Sequence, residues 1–302
     1  MHLRETGRHV VIHAPAKLNL FFEVLGRRDD GFHEVETFVY PIDLCDTLII
    51  TKRSDDRVKF RLSSVFSGAV GRESSLGQVP ADSSNLVVRA LELLRQSTGC
   101  RLGADVLLVK RIPSEAGLGG GSSDAAAALA GANITWNLKL PVERLAELGG
   151  TLGSDIPLFF RDGPSVCRGR GEIVEPVPSS PVLHFAVVRP PAGLNTAKVY
   201  GACCVAQEPR SLTRFVESIT SARLGQIGAC LFNRLESAAS DLTPWIARIR
   251  RAFESLDCSG HQMTGSGTCY FGLCRHARHA RRVARRLESF GLGKAYAVRG
   301  YR

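Results

Sequence analysis

A run of glycines followed by helix-capping residues is the feature that most limits what this 302-residue chain can fold into. The segment Pro113–Asp124 reads PSEAGLGGGSSD, and an alanine-rich stretch follows it at once. Glycine lets backbone N–H groups come close to a ligand and permits positive φ. Ser and Asp are common N-cap residues, so the segment predicts a loop that feeds a helix N-terminus, where unpaired N–H groups and the helix dipole bind anions.

Two familiar nucleotide loops do not fit these residues. A Walker A loop needs a Lys before the Ser or Thr, and Gly121 occupies that place. A dinucleotide-binding loop needs a third glycine where Ser122 stands and an acidic residue about 20 residues later, which is missing. The segment therefore predicts a phosphate loop of a third kind. A flexible linker is the alternative, but linkers seldom run straight into a tightly packing helix.

The remaining pattern mixes strands and helices without strict alternation, which predicts an α+β fold. Alternation over 10–50 indicates a β-hairpin or meander with a turn at 28–31, and 63–84 is typical of a long surface loop. We expect further strands at 104–112, 182–188 and 267–273. Helices are expected at 85–95, with Ser83 or Ser84 as N-cap, and at 124–133, 141–148, 197–205, 215–220, 233–239, 242–256 and 276–290.

The net charge of +10 is concentrated at one end of the chain. From Arg275 to Arg302 there are nine Lys or Arg against one acid, Glu288, so this segment carries +8. The rest is almost neutral and does not predict a polyanion-binding protein. A solvated helix face is the simplest interpretation of the basic segment.

Composition and cysteine usage point to a globular protein of a reducing compartment. Hydrophobic residues make up 44% and charged residues 23%, which excludes a wholly disordered chain. We see no apolar run of about 18 residues and no secretory signal, so a cytoplasmic protein without a membrane partner is expected. The nine cysteines include no C-x-x-C pair, so we expect reduced thiols and no zinc site.

Three short motifs, taken in order, carry a family resemblance. They are Pro15–Leu20 (PAKLNL), the glycine segment, and Thr264–Thr268 (TGSGT). Together they resemble the GHMP family of small-molecule kinases. Two more motifs, Asp30–Glu34 (DGFHE) and Leu152–Pro157 (LGSDIP), narrow the resemblance to members whose substrate is a cytidyl-linked methylerythritol.

The resemblance implies a fold and a reaction. The fold would have an N-terminal domain like domain 2 of ribosomal protein S5, over 1–165, and a C-terminal ferredoxin-like domain, over 166–302. The reaction would move the γ-phosphoryl group of ATP to a substrate hydroxyl, with Mg²⁺ in attendance. The protein would be a monomer or homodimer with no nucleic-acid partner.

The resemblance also implies site residues, beginning with the nucleotide. The ATP phosphate loop would consist of Pro113, Gly117, Leu118, Gly119, Gly120, Gly121, Ser122 and Ser123, and Thr264–Thr268 would lie beside it. Ser122 or Ser123 would be the candidate Mg²⁺ contact. Asn85 would lie on the adenosine side, with a plain helix cap as its alternative role.

Lys17 and Asp155 are the candidate catalytic residues. A carboxylate in the tight segment around Asp155 can accept or orient the proton of the attacking hydroxyl. Lys17 is the only cation in an apolar strand and can stabilise charge on the transferring group. A helix N-terminal acid and a strand-edge lysine are the structural alternatives.

Substrate contacts would come from Asn19, Phe32, His33 and Tyr200. An aromatic ring and an imidazole at one turn can stack on a pyrimidine and hydrogen-bond its edge. A core aromatic is the alternative for Phe32 and Tyr200, and a turn or edge residue for Asn19.

Two positions depart from the family pattern, and two other functions stay open. Relatives often have Gly near Glu115, and Arg234 stands where they often have Asp. Neither touches the expected chemistry, although a carboxylate at Glu115 leaves the electrostatics of the phosphate loop open.

A homoserine- or mevalonate-type kinase would lack a pyrimidine clamp. A non-enzymatic RNA-binding protein is the third hypothesis, since S5-like folds occur in ribosomes and the C-terminal segment is basic.

Overall fold

The computed structural model describes residues 1–64, 79–177 and 180–301, and the chain divides into two units. Unit 1 contains Met1–Ala16, Leu44–Ser114 and Gly119–Asp162, and unit 2 contains Lys17–Asp43, Glu115–Leu118 and Gly163–Arg302. Both units are discontinuous in sequence, while the predicted domain boundary at 165/166 stays a prediction. Most of the loop predicted over 63–84 lies outside the described residues.

The described residues contain the following strands and helices. The strands are β1 (His2–Thr6), β2 (His9–Arg27), β3 (His33–Lys52), β4 (Val58–Ser64), β5 (Ala104–Lys110), β6 (Ser165–Arg168), β7 (Ile173–Pro176), β8 (His184–Arg189), β9 (Phe232–Asn233), β10 (His261–Met263), β11 (Tyr270–Cys274) and β12 (Lys294–Arg299). The helices are α1 (Leu86–Thr98), α2 (Gly120–Thr135), α3 (Val142–Leu152), α4 (Thr196–Gly201), α5 (Leu212–Thr220), α6 (Leu224–Cys230), α7 (Leu235–Leu242), α8 (Pro244–Glu254) and α9 (Ala277–Ser289), with a 3₁₀ turn at Pro157–Phe160.

Unit 1 is built on β-ladders and on an alanine-rich helix. β1 pairs antiparallel with β2, β3 pairs antiparallel with β5, and β4 runs parallel to β5. Small side chains let α2 approach its neighbours closely, since a Cβ at Gly131 would lie 2.6 Å from Cδ1 of Ile12. Bulkier residues on this helix would push it off the core.

Unit 2 contains a ferredoxin-like arrangement. Its four-stranded sheet has the order β10–β11–β8–β12, with each neighbouring pair antiparallel. Along the chain, the four strands and helices α8 and α9 follow in the order β8, α8, β10, β11, α9, β12, which is the split βαβ pattern. Helices α4–α7 and strand β9 are inserted between β8 and α8. The predicted α+β class and the ferredoxin-like carboxyl-terminal part are thus confirmed.

Several element boundaries differ from those predicted. Helix α2 begins at Gly120 and not at 124, because a glycine in the left-handed region (Gly119, φ 69°) acts as its N-cap. The N-cap of α1 is Asn85 and not Ser83 or Ser84. Helix α6 and the short strands at the sheet edges were missed, since their few residues carry little periodicity. Among the described helices, none combines the length and apolar character needed to cross a bilayer.

Candidate active site

Lys17 and Asn19 lie on one face of β2, because side chains two residues apart in a strand point the same way. Both belong to unit 2 and are nearly inaccessible, with 5% and 2% of their surfaces exposed. The Lys17 ammonium donates a 2.6 Å hydrogen bond to Oδ1 of Asn19. A strand-edge lysine with its head in water, the structural alternative, is therefore wrong. Burying an ammonium costs free energy unless oxygen ligands surround it.

Asn19 is held in place by four partners. Its Nδ2 donates to Oγ1 of Thr37 at 2.9 Å, and its backbone N–H donates to Oγ1 of Thr264 at the same distance. Its backbone oxygen accepts from Nε2 of Gln262 at 2.9 Å. This network fixes the rotamer of Asn19 and, through Oδ1, the position of the Lys17 ammonium.

The three motifs that carry the family resemblance meet inside unit 2. The backbone N–H of Lys17 donates to the oxygen of Leu118 at 3.0 Å. Gly117 packs so closely on the third motif that a Cβ there would lie 2.2 Å from the backbone oxygen of Thr264. A Cβ at Gly265 would lie 3.3 Å from Nζ of Lys17. The expected neighbourhood of Thr264–Thr268 and the glycine segment is thus observed.

The N-terminus of α2 provides unpaired backbone donors in unit 1. Gly119 has no side chain to cap the helix, and Ser123 is the first residue whose N–H enters the helix ladder, bonding the oxygen of Gly119 at 2.9 Å. The N–H groups of Gly120, Gly121 and Ser122 precede it, as at any helix start. Gly121 is exposed and Ser122 half-buried. This is the geometry of an anion site.

Two buried oxygens at this helix start have no hydrogen-bond partner among the described residues. They are the hydroxyl of Ser123, which is fully buried, and Oδ1 of Asp124. Buried polar atoms are nearly always paired in native proteins. An unpaired hydroxyl beside unpaired N–H groups therefore indicates a place where a ligand completes the bonding.

A buried charge cluster lies below the same helix start and was not predicted from sequence. Nζ of Lys110 contacts the carboxylates of Asp46 and Asp124, the latter at 2.8 Å, and all three side chains are almost fully buried. A Cβ at Gly120 would lie 3.1 Å from this ammonium. Only the fold brings together residues 46, 110 and 124.

The cluster carries opposing electrostatic effects. Burial raises the pKa of Asp124 well above its ordinary value, and Asp46 adds to this rise although Lys110 opposes it. Burial disfavours the charged form of Lys110, but the two carboxylates raise its pKa overall. The raised pKa of Asp124 favours its neutral form, and a neutral Asp124 leaves one carboxylate against one ammonium, so the buried cluster has zero net charge.

Asp155 lies in a short turn of unit 1 between α3 and the 3₁₀ turn. The neighbouring Ile156 anchors this turn, since a Cβ at Gly149 would lie 2.5 Å from its Cγ2. The N–H of Ile156 also bonds the oxygen of Gly153 at 3.1 Å. Asp155 itself is half-buried. The turn thus fixes the direction of a carboxylate that keeps access to solvent.

Phe32, His33 and Tyr200 form an aromatic group at the hairpin of unit 2. The rings of His33 and Tyr200 lie 5.1 Å apart at an angle of 34°. Phe32 is 54% exposed, so a core role for it is wrong, and the guanidinium of Arg170 lies 4.8 Å from its ring centre. Burial lowers the pKa of His33, and Arg27 adds to the effect, so the ring is neutral at pH 7. Arg170, in the turn before β7, was not predicted.

The structure also shows the surroundings of Asn85, a predicted site residue, and of Glu115, which departs from the family pattern. Asn85 caps α1 through Oδ1, which accepts from the N–H of Val87 at 2.9 Å, and its Nδ2 bonds the oxygen of Pro80. Glu115 is exposed, has a positive φ of 52°, and its Oε2 lies near Gly193. A left-handed backbone is one that glycine adopts without strain and that a non-glycine residue such as Glu115 adopts seldom.

Arg234 forms a paired contact with a buried acid. Its Nε and Nη2 bond the two carboxylate oxygens of Glu23 at 2.6 and 2.8 Å. Burial alone would raise the pKa of Glu23, but Arg234 and two backbone N–H groups hold it below its ordinary value. Arg234 therefore has a structural role within unit 2, which is to pair with the buried carboxylate of Glu23.

Comparison with known proteins agrees with this geometry. The model of the GHMP kinases N-terminal domain matches residues 85–163, and that of the GHMP kinases C-terminal domain matches residues 215–292. The chain belongs to the GHMP kinase family. Within that family it is similar to proteins named 4-diphosphocytidyl-2-C-methyl-D-erythritol kinase.

These relatives match along almost their whole length. The protein of that name from Shouchella clausii is 36% identical over 95% of this chain and 93% of its own, and that from Pelotomaculum thermopropionicum is 39% identical over 90% and 92%. A crystal structure of 4-(cytidine 5'-diphospho)-2C-methyl-D-erythritol kinase is 32% identical, with a TM-score of 0.78 over 97% of this chain and all of that one. Homoserine kinase from Cytophaga hutchinsonii shares the fold, with a TM-score of 0.72 over all of this chain and 97% of its own, at 16% identity.

Proposed function

We propose that the protein transfers the γ-phosphoryl group of ATP to a hydroxyl of 4-diphosphocytidyl-2-C-methyl-D-erythritol, forming the 2-phosphate, a step of the non-mevalonate route to isoprenoid precursors. The observation that carries the proposal is the 39% identity over 90% of the chain to a relative of that one name. The aromatic hairpin supports the cytidyl substrate over homoserine or mevalonate, which offer no ring to stack.

ATP phosphates would lie at the start of α2. The unpaired N–H groups after Gly119 and the helix dipole attract them, and the absence of side chains at Gly119–Gly121 lets them approach. Pro113, Gly117 and Leu118 shape the segment that leads to this point. Asn85 remains a proposed adenosine-side residue, and its Oδ1 also caps helix α1.

Mg²⁺ fits the donors at this helix start. It prefers oxygen ligands and keeps several waters, with one or two protein groups completing its shell. The unpaired hydroxyl of Ser123 and Oδ1 of Asp124 are such oxygens, and Ser122 is the half-buried alternative. The ion would neutralise charge on the phosphate oxygens.

Catalysis would use one acid and one cation. Asp155, held in its turn by Ile156, would orient the substrate hydroxyl and take its proton as the oxygen attacks phosphorus. Lys17, whose ammonium is fixed by Asn19, would stabilise negative charge on the transferring group. Asn19 itself would contact the substrate.

The cytidyl ring would be held by stacking and read by hydrogen bonds. The exposed ring of Phe32 supplies a stacking face, worth about 1–3 kcal/mol per base. Neutral His33 has one donor and one acceptor nitrogen for the base edge, and Tyr200 fixes its ring. A cytoplasmic location and a monomeric or homodimeric state stay predictions, as does the lack of nucleic-acid and membrane partners.

The test is release of ADP by the purified full-length protein. We expect turnover with the cytidyl compound at least a hundredfold above that with homoserine or mevalonate. Equal turnover with homoserine would favour another member of the family. RNA binding that weakens with salt, without any ADP release, would favour the non-enzymatic hypothesis.

A further inference from the structure

Two cysteines and a histidine from distant parts of unit 2 converge at one point. Sγ of Cys258, Sγ of Cys274 and a ring nitrogen of His279 all lie within 4.8 Å of one another. Cys274 and His279 are buried, with 1% and 2% exposed, and Cys258 is half-buried. The three come from the connection after α8, the end of β11 and the first turn of α9. None of them has a role in the proposed phosphoryl transfer.

The backbone holds these three groups together. The N–H of Ser259 bonds the oxygen of Leu273 at 2.9 Å, and the N–H of Leu273 bonds the oxygen of Gly260 at 2.8 Å. A Cβ at Gly272 would lie 2.7 Å from Sγ of Cys258, so the glycine leaves room for the thiol against β11. Hydrogen bonds therefore hold the loop that contains Cys258 against strand β11, which ends at Cys274.

One ring nitrogen of His279 contacts a carboxylate, as is usual for histidines that bind metal ions. Its Nε2 lies 2.9 Å from Oδ1 of Asp257, and that carboxylate also contacts Arg275 and Arg282. A carboxylate bonded to one ring nitrogen orients the ring and makes the other nitrogen a better ligand. That nitrogen, Nδ1, accepts a 3.2 Å hydrogen bond from the backbone N–H of Arg275, and a metal ion bound to Nδ1 would replace this bond.

We propose that Cys258, Cys274 and His279 bind a thiolate-preferring divalent cation, Zn²⁺, with water in the fourth position. In tetrahedral zinc sites the Zn–S and Zn–N distances of about 2.3 and 2.0–2.1 Å place ligand atoms roughly 3.5–3.8 Å apart. The ligand atoms now lie at most 4.8 Å apart, so the distance between any two of them needs to shorten by about 1 Å at most. Two thiolates balance the dipositive charge, so the ion adds no net charge beside the arginines. Mg²⁺ prefers oxygen and is not expected here.

The spacing of the three ligands explains why this site could not be predicted from the sequence. Cys258 and Cys274 are separated by 15 residues and Cys274 and His279 by four, so neither the short C-x-x-C pair nor an H-x₃-H pair occurs. The bound ion would connect the loop after α8, strand β11 and helix α9. Its effect would be on the stability of the ferredoxin-like part.

The test uses Co²⁺ as a visible substitute for Zn²⁺ on the untagged, reduced full chain. We expect one Co²⁺ per chain with a thiolate-to-cobalt charge-transfer band, displaced by Zn²⁺, and a melting temperature that Zn²⁺ raises. Cys258→Ser and His279→Gln should abolish the band, whereas the control Cys230→Ser, another half-buried cysteine, should keep it.

Two results would overturn the proposal. One is a wild-type protein that, fully reduced, takes up no Co²⁺ or Zn²⁺. The other is a charge-transfer band that survives in Cys258→Ser. Cys258 is half-buried and Ser is nearly isosteric, so this variant should fold, and circular dichroism checks that it does. ADP release by Cys258→Ser should equal that of wild type, which separates this site from the phosphoryl-transfer site.

Discussion

The ammonium of Lys110 lies 2.8 Å from Oδ2 of Asp124, and both side chains are almost completely buried below the start of α2. This pair, with Asp46, supports the helix turn on which the proposed ATP site depends. Because these charges are buried, a charge left without its partner would strongly destabilise the folded protein.

Removing the cation should destabilise the protein far more than neutralising one acid. Lys110→Met leaves buried carboxylate unpaired, and we expect a loss of about 3–5 kcal/mol in the free energy of unfolding. Asp124→Asn keeps one acid against one base, so its loss should stay within about 1–1.5 kcal/mol, the size of one hydrogen bond. Urea denaturation measures both, with the exposed Lys59→Met as control. Equal losses for the two variants would contradict a cluster of zero net charge.

The hydroxyl of Ser123 should matter to the nucleotide and not to the fold. It has no partner among the described residues, so Ser123→Ala removes no hydrogen bond of the free protein. A bond to charged phosphate or to its metal is worth about 1.5–3 kcal/mol, so KM for ATP should rise about tenfold or more. Thr135→Val is the matched control, because the hydroxyl of Thr135 is equally unpaired at the other end of α2. A similar ATP KM for both variants would remove Ser123 from the site.

Asp155 should be needed for turnover and not for folding. Asp155→Asn keeps the size of the side chain but cannot take a proton, and general-base contributions are about 10²–10⁴-fold. We expect kcat to fall by at least about a hundredfold, with the melting temperature and ATP affinity unchanged. The exposed Asp162→Asn serves as control in the same assay. Turnover within a few-fold of wild type would exclude Asp155 as the base.

His33 and Phe32 should have separable effects on substrate choice. Phe32→Ala removes a stacking face, so KM for the cytidyl compound should rise while the preference over a uridyl analogue stays. His33→Ala should raise KM and also narrow that preference, because an edge-reading hydrogen bond is lost. Competition kinetics with the two nucleotides distinguishes the variants. A full cytidyl preference in His33→Ala would mean that other groups read the base.

The same histidine predicts a pH dependence. Burial lowers the pKa of His33 from its ordinary 6.5, so the neutral ring persists as pH falls to 6.5. Below pH 6.5 the unfolded chain binds more protons at this histidine than the folded protein does, so the stability that neutral His33 contributes is lost as pH falls below that value. Its contribution to substrate binding should be lost in the same pH range. KM measured from pH 8 to 5 should therefore rise only below 6.5 in wild type and less in His33→Ala.

The local features of the site could be predicted from sequence because they depend on neighbours in the chain. The glycine segment predicts a helix start, and strand alternation puts Lys17 and Asn19 on one face. The start of α2 was misplaced by four residues, since Gly119 caps it through a left-handed backbone that residue type alone leaves open. Asn85, not a serine, caps α1 because its side chain reaches the N–H of Val87.

The features that were missed join residues far apart in sequence. Asp46, Lys110 and Asp124 lie in separate segments, and the patterns around each are those of ordinary strands and a helix. Arg170 reaches Phe32 across 138 positions of the chain, and Cys258 reaches His279 through a strand and a turn. Such contacts follow from topology, which a single sequence does not give.

Phosphorus NMR of the product tests the central proposal most directly. The full-length protein is incubated with ATP, Mg²⁺ and 4-diphosphocytidyl-2-C-methyl-D-erythritol, and the spectrum is followed over time. We predict one new phosphate monoester signal that grows with the ADP signals, while the diphosphate of the substrate stays intact. ATP consumed with release of inorganic phosphate alone, or no monoester at all, would contradict the account.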